Sequence, residues 1–164
     1  MTPTLEPEGT PMSLATVDVH AVTADAKEVL VWRRTFPGQP DQAAMLRHFV
    51  GFLLADLTNI NEIIEVTAEL ANNALTHSNS KQPNGRITAE VRRWTGSCAS
   101  VAVTDDGGPN EPTFRDTPDP RDMNDLDALS EGGRGLPIIT AYSTWWGWEG
   151  GPGGRTVTAF FLLS

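Results

Sequence analysis

Cysteine occurs once in the 164 residues, at Cys98, which excludes an internal disulfide framework and any multi-cysteine zinc site. Long hydrophobic runs are also missing. The longest strongly apolar stretch, Phe49 to Ala55, is far too short to span a bilayer. The first residues, Met1 to Glu6, hold no basic stretch followed by an apolar one, so no signal peptide is predicted. Basic side chains are outnumbered, with 12 Lys and Arg against 21 Asp and Glu. The resulting formal charge of -9 would repel phosphate and makes nonspecific nucleic-acid binding a poor fit. The expectation is a cytoplasmic protein that touches neither membrane nor nucleic acid. A length of 164 residues, with 39% hydrophobic and 20% charged side chains, suits one folded domain with one core.

The acidity is concentrated. Residues 1–28 carry five acids against Lys27, and residues 105–131 carry nine against Arg115 and Arg121. The remaining chain is therefore close to neutral. Pro3, Pro7 and Pro11 mark residues 1–28 as a poorly ordered leader, separate from a domain at 29–164. The second acidic stretch, about 107–131, contains Pro109, Pro112, Pro118 and Pro120 and no sustained apolar pattern. A compact domain rarely carries so long a loop without a task such as covering a ligand.

Between these stretches the pattern alternates strand and helix. Val29–Phe36 is strand-like, and Pro37-Gly38-Gln39-Pro40-Asp41 breaks it. Asp41 is placed to cap a helix with apolar positions at Ala44, Met45, Phe49, Phe52 and Leu53. A second helix is predicted from about Asn61 to His77, with Ile63, Val66, Leu70 and Ala74 on one face. Ser78–Gly85 reads as a polar turn. Ile87, Ala89 and Val91 alternate along a half-buried strand, and Cys98–Thr104 is its hairpin partner. Trp145–Glu149 and Thr156–Leu163 form a closing pair across a turn at Gly150–Gly154, with two of Trp145, Trp146 and Trp148 in the core. The predicted class is α+β: a two-layer sandwich, its sheet mixed but mainly antiparallel, with helices on one face.

Three groups of residues carry chemistry. Glu65, Glu69, Asn73 and His77 recur every four residues on the second helix, as a polar stripe beside its apolar face. A carboxylate there can take a proton from an attacking hydroxyl, and an amide oxygen can join the ligands of magnesium. A solvated helix face is the plainer reading of that stripe. Asp105-Asp106-Gly107 ends a strand and places a carboxylate at the sheet edge, before a turn where backbone can approach a ligand. An ordinary Asp-Gly turn reads the same way. Gly132-Gly133-Arg134-Gly135 opens a helix whose free amides suit phosphate, although neither a Walker loop nor a Rossmann fingerprint is present.

In that order and spacing, Glu69-Leu-Ala-Asn-Asn73-Ala-Leu-Thr-His77, Asp105-Asp-Gly107 and Gly133-Arg-Gly135-Leu136 resemble the N box and glycine boxes of the GHKL ATPases. The short chain resembles the anti-sigma factor serine/threonine kinases within that superfamily. The resemblance covers about Val29 to Ser164, and Gly154-Arg155-Thr156-Val157 is similar to the family's last strand. It implies a Bergerat ATP-binding fold with cofactors ATP and magnesium. Glu69 would be the general base and Asn73 the magnesium ligand. Asp105 would recognise the adenine amino group, with Thr156 reaching the adenine side. Gly107, Gly133 and Gly135 would let backbone approach the nucleotide, and His77, Arg134 and Leu136 would complete its surroundings. The acidic segment becomes the ATP lid, expected to be disordered without nucleotide.

The implied partners are a sigma factor and an anti-anti-sigma protein phosphorylated on serine or threonine, and relatives of this kind often pair as homodimers. Some of these kinases carry a basic side chain where this chain has Glu131-Gly132. That departure keeps a second reading open, a nucleotide-dependent binding module with little or no kinase activity. A histidine kinase fragment fits less well, because neither His20 nor His48 is followed by the acidic residue usual at a phosphoacceptor.

Overall fold

Alternating apolar positions and helical spacing become a layered domain in the computed structural model, which describes residues 28–109 and 135–163. Strand β1 (Val29–Pro37) leads to helices α1 (Gln42–Leu53) and α2 (Ile60–His77). The hairpin β2 (Arg86–Trp94) and β3 (Cys98–Asp105) follows, then α3 (Gly135–Tyr142) and the hairpin β4 (Trp145–Gly151) and β5 (Gly154–Leu162). The five strands form one sheet in the order β1-β2-β3-β5-β4. Every pairing is antiparallel, so the described sheet has no parallel component. The expected acidic leader, apart from Glu28, and the lid beyond Pro109 lie outside the described residues.

Strand alternation sends Phe36, Ile87, Ala89, Val91, Val101, Val103, Ala159 and Phe161 to one face of the sheet, into the single core. Helix α2 covers that face with Ile63, Val66, Leu70 and Ala74, all buried, as its spacing predicts. It packs against α1 and α3 and lies over β3. Trp146 is buried in this core and Trp148 packs on it, while Trp145 falls on the other phase of β4. The opposite sheet face carries polar pairs, among them Thr35 with Thr88 at 2.9 Å and Thr104 with Thr156 at 2.7 Å.

Helix α1 departs from its expected face. Its buried residues are Leu46 and Val50, continued by Leu54, whereas Met45 is 43% and Phe52 83% exposed. The run from Phe49 to Leu54 is apolar on nearly every side, so periodicity alone cannot choose the inward face. Packing against α2 and β1 chooses it, and Phe49 meets the Phe36 ring edge-on at 6.0 Å. Asp41 sits at the cap position, but its side chain makes no capping hydrogen bond.

Leu70 is 1% exposed beneath the polar stripe of α2. Leu70→Ala is expected to cost about 3 kcal/mol of unfolding free energy, read by urea denaturation.

Candidate functional site

The polar stripe of α2 runs along the border of its buried face. Glu69 and Asn73 are half-buried there, while Glu65 and His77, at the two ends, are exposed. Burial raises the Glu69 pKa above the ordinary carboxylate value, and the neighbouring Glu65 charge pushes it the same way. Glu69 thus holds a proton more readily than a solvated glutamate, which is the property a general base needs.

The end of α2 is tied to the end of β3. The segment read as a polar turn contains a short 3-10 turn, Asn79–Lys81, and two buried serines, Ser78 and Ser80. Ser80 Oγ donates to the Arg86 carbonyl at 2.7 Å and accepts from the Asp106 N–H at 2.9 Å. The Asn79 N–H donates to the Gly107 carbonyl at 2.7 Å. Asp106, one residue after Asp105, accepts the Arg86 N–H at 2.8 Å. These bonds fix the Asp105–Gly107 turn against the helix that carries Glu69 and Asn73.

Asp105 ends β3 on the core-facing side of the sheet, two residues after Val103. Its Oδ1 accepts the Gly107 N–H at 2.6 Å. Gly107 has φ of +74°, and a Cβ there would stand 2.3 Å from the Pro152 carbonyl oxygen. Only glycine lets the turn press so closely on the β4–β5 hairpin. Burial raises the Asp105 pKa, and it outweighs the lowering by the Gly107 N–H and the Arg155 charge. A half-buried carboxylate of this kind gains from any ligand group that donates a hydrogen bond to it.

Register reassigns one predicted residue. Thr156 lies opposite Thr104 on the other face of the sheet and hydrogen-bonds to it, so it is placed away from Asp105. The β5 residue opposite Asp105 is Arg155, which is 4% exposed. Its guanidinium carbon lies 5.2 Å from the centroid of the Trp148 ring. The sequence reading missed Arg155. The signal was available in the antiparallel alternation, which puts Arg155 in phase with Val157 and Ala159.

Gly135 and Leu136 form the first turn of α3, which rests on α2. Gly133 and Arg134 lie outside the described residues. Among the described residues no three His, Cys, Asp or Glu side chains stand close enough together to hold a metal ion. Glu69 and Asn73 supply oxygen donors one turn apart. They match magnesium, which prefers oxygen and keeps several waters, when phosphate oxygens complete its shell. Surface depressions at Thr35, Phe36 and Arg86 and at Arg47, His48 and Phe52 do not include these residues. No helix among the described residues is long and apolar enough to cross a membrane.

The sequence signature of the histidine kinase-like ATPase domain matches residues 36–161, from near the end of strand β1 to near the end of β5. The chain belongs to that family. No curated protein matches it. Among solved structures, it is similar to the RsbU and RsbW domains of Rv1364c from Mycobacterium tuberculosis, with a TM-score of 0.59 and 18% identity. The match covers 82% of this chain and 32% of that one. At that identity the likeness is one of fold. For this histidine kinase-like ATPase domain, the α+β layering and the family match agree.

The raised Glu69 pKa sets a pH dependence. Well below the ordinary carboxylate pKa the residue is protonated whether folded or not, and Glu69→Gln should be as stable as the parent. As pH rises through Glu69's own higher value, only the parent must carry a half-buried charge. Glu69→Gln is therefore expected to become the more stable protein between about pH 3 and pH 7, in thermal melts without nucleotide. A stability gap independent of pH would contradict this assignment.

Proposed function

We propose that this domain binds ATP with magnesium and acts as an anti-sigma regulatory protein that phosphorylates a serine or threonine of an anti-anti-sigma partner. The observation that carries the reading is the junction of α2 with the Asp105–Gly107 turn. It ties the strand end that carries Asp105 to the helix that carries Glu69 and Asn73, which supports this reading. The family match supports nucleotide binding. The likeness to a structure containing an RsbW domain supports the regulatory setting.

In this reading Asp105 accepts a hydrogen bond from the adenine amino group. Glu69 takes the proton of the partner's hydroxyl, and Asn73 contributes an oxygen ligand to magnesium. Bound magnesium would neutralise charge on the phosphate oxygens. His77, exposed at the end of α2, faces the phosphate end of the same stripe. Gly107, Gly133, Arg134, Gly135 and Leu136 border the nucleotide, and Arg115, Arg121 and Arg134 offset the acidic lid. The domain holds a sigma factor until the partner displaces it. Glu131-Gly132, where some of these kinases carry a basic side chain, favours a second reading in which ATP sets the shape of a binding module without phosphoryl transfer.

Calorimetry with ATP and magnesium tests the reading. The parent is expected to bind, and Asp105→Asn and Asn73→Ala to weaken binding at least about tenfold. Absence of binding at millimolar ATP would overturn the assignment. Glu69→Ala separates the two readings: it should abolish phosphate transfer to the partner under the first and leave ATP binding and most regulation intact under the second.

A further inference from the structure

The helices cover one face of the sheet, and the face turned away from them is polar at one end only. There Thr35 pairs with Thr88 and Thr104 with Thr156. At the other end the same strand phase presents Val29, Val31, Trp94, Phe160, Leu162 and Trp145. The Trp94 and Phe160 ring centroids lie 5.8 Å apart. The Trp145 ring stands over Gly147, where a Cβ would come within 2.8 Å of it. Phe160 and Cys98 are buried on this side without belonging to the core beneath the helices. Around them Val29 is 49%, Val31 50% and Leu162 40% exposed. A contiguous apolar patch of this kind marks a docking surface.

The chain enters the sheet at this corner. The Glu28 carbonyl accepts the Thr95 N–H at 3.1 Å, and Val29 stands opposite Trp94. Residues 1–27, outside the described residues, therefore join the fold at the rim of the patch. Their prolines stop at Pro11. Beyond it Val17, Val19 and Ala21 alternate with Thr16, Asp18 and His20, between Leu14 and Val22. Residues 23–27 reach at most about 17 Å when extended. Strand β5, which carries Phe160, is three strand spacings from β1, about 14 Å. Charge is complementary too. Residues 1–27 hold four acids against Lys27, while Arg33 and Arg92, next to Val31 on the open face, share the one carboxylate of Glu90.

We propose that residues 14–22 of this same chain pack on the open sheet face, with Val17 and Val19 meeting Trp94 and Phe160. A short tether gives such a segment a millimolar effective concentration, which a second copy lacks in dilute solution. The contact is independent of nucleotide.

A spin label at His20→Cys in the full chain, read by NMR of the tryptophan indoles, tests this. Cys98 is 0% exposed and does not compete for the label. In dilute labelled protein the Trp94 and Trp145 indole signals are expected to be lost. Trp146, on the helix side and hydrogen-bonded to Thr140 at 3.0 Å, should be affected least. Val17→Asp combined with Val19→Asp should restore both signals and leave that of Trp146 in place, which separates lost docking from a lost fold. Broadening of Trp94 and Trp145 no greater than that of Trp146 would overturn the proposal. So would signal loss seen only between copies, when spin-labelled chain is mixed with isotope-labelled chain, since a second copy would then cover the face. Loss that persists in the double aspartate variant also overturns it. Should that variant fail to fold, the labelled parent decides alone.

Discussion

Ser80 Oγ spans two strands, donating to the Arg86 carbonyl that opens β2 and accepting from the Asp106 N–H that follows β3. With the Asn79 N–H on the Gly107 carbonyl, it joins the end of α2 to the edge of the sheet. The hydroxyl is fully buried, so each of its bonds counts, because a lost partner would strand a polar group away from water. Everything the site does depends on this junction. Glu69 and Asn73 belong to a helix and Asp105 to a strand, and these bonds join the two. The polar knot is therefore a positioning device, and the hydrophobic layer beneath it supplies the stiffness.

That layering also explains the two perturbed carboxylates. Glu69 and Asp105 are half-buried because each lies where a polar surface meets the core. Burial raises both pKa values, and at neutral pH the folded protein carries that cost. Perturbed carboxylates of this kind mark a candidate site. The flanking glycine turn belongs to the same compromise, since a positive φ against the Pro152 carbonyl narrows what can stand at Gly107.

Most of the architecture could be read from the sequence, and the misreadings have physical causes. Ile63, Val66, Leu70 and Ala74 stood out because polar residues separate them, so one helix face is unambiguous. Helix α1 gave no such contrast, and Phe52 proved to be its most exposed large side chain. Strand β5 carries apolar residues in both phases, Phe160 in one and Phe161 in the other. A shift of one residue there exchanges faces, and Thr156, expected at the adenine side from the resemblance, falls on the opposite face from Asp105. The serines at Ser78 and Ser80 looked like solvent-facing turn residues. Composition does not show that a turn has been folded beneath a sheet edge, and only the tertiary bonds reveal it.

The strand order has a consequence for how the domain comes into being. Hairpins β2–β3 and β4–β5 join near neighbours, but the other two seams do not. Thr35 and Thr88 lie 53 residues apart across β1–β2, and Thr104 and Thr156 lie 52 apart across β3–β5. Local hairpins assemble in microseconds, whereas distant strands must first close a long loop. Asp105 and Arg155 sit on the slower kind of seam. A chain emerging from the ribosome would thus carry its helix, its carboxylates and its first hairpin well before it owned a nucleotide site. The Asp105–Arg155 pairing arrives only with β5, in one late step.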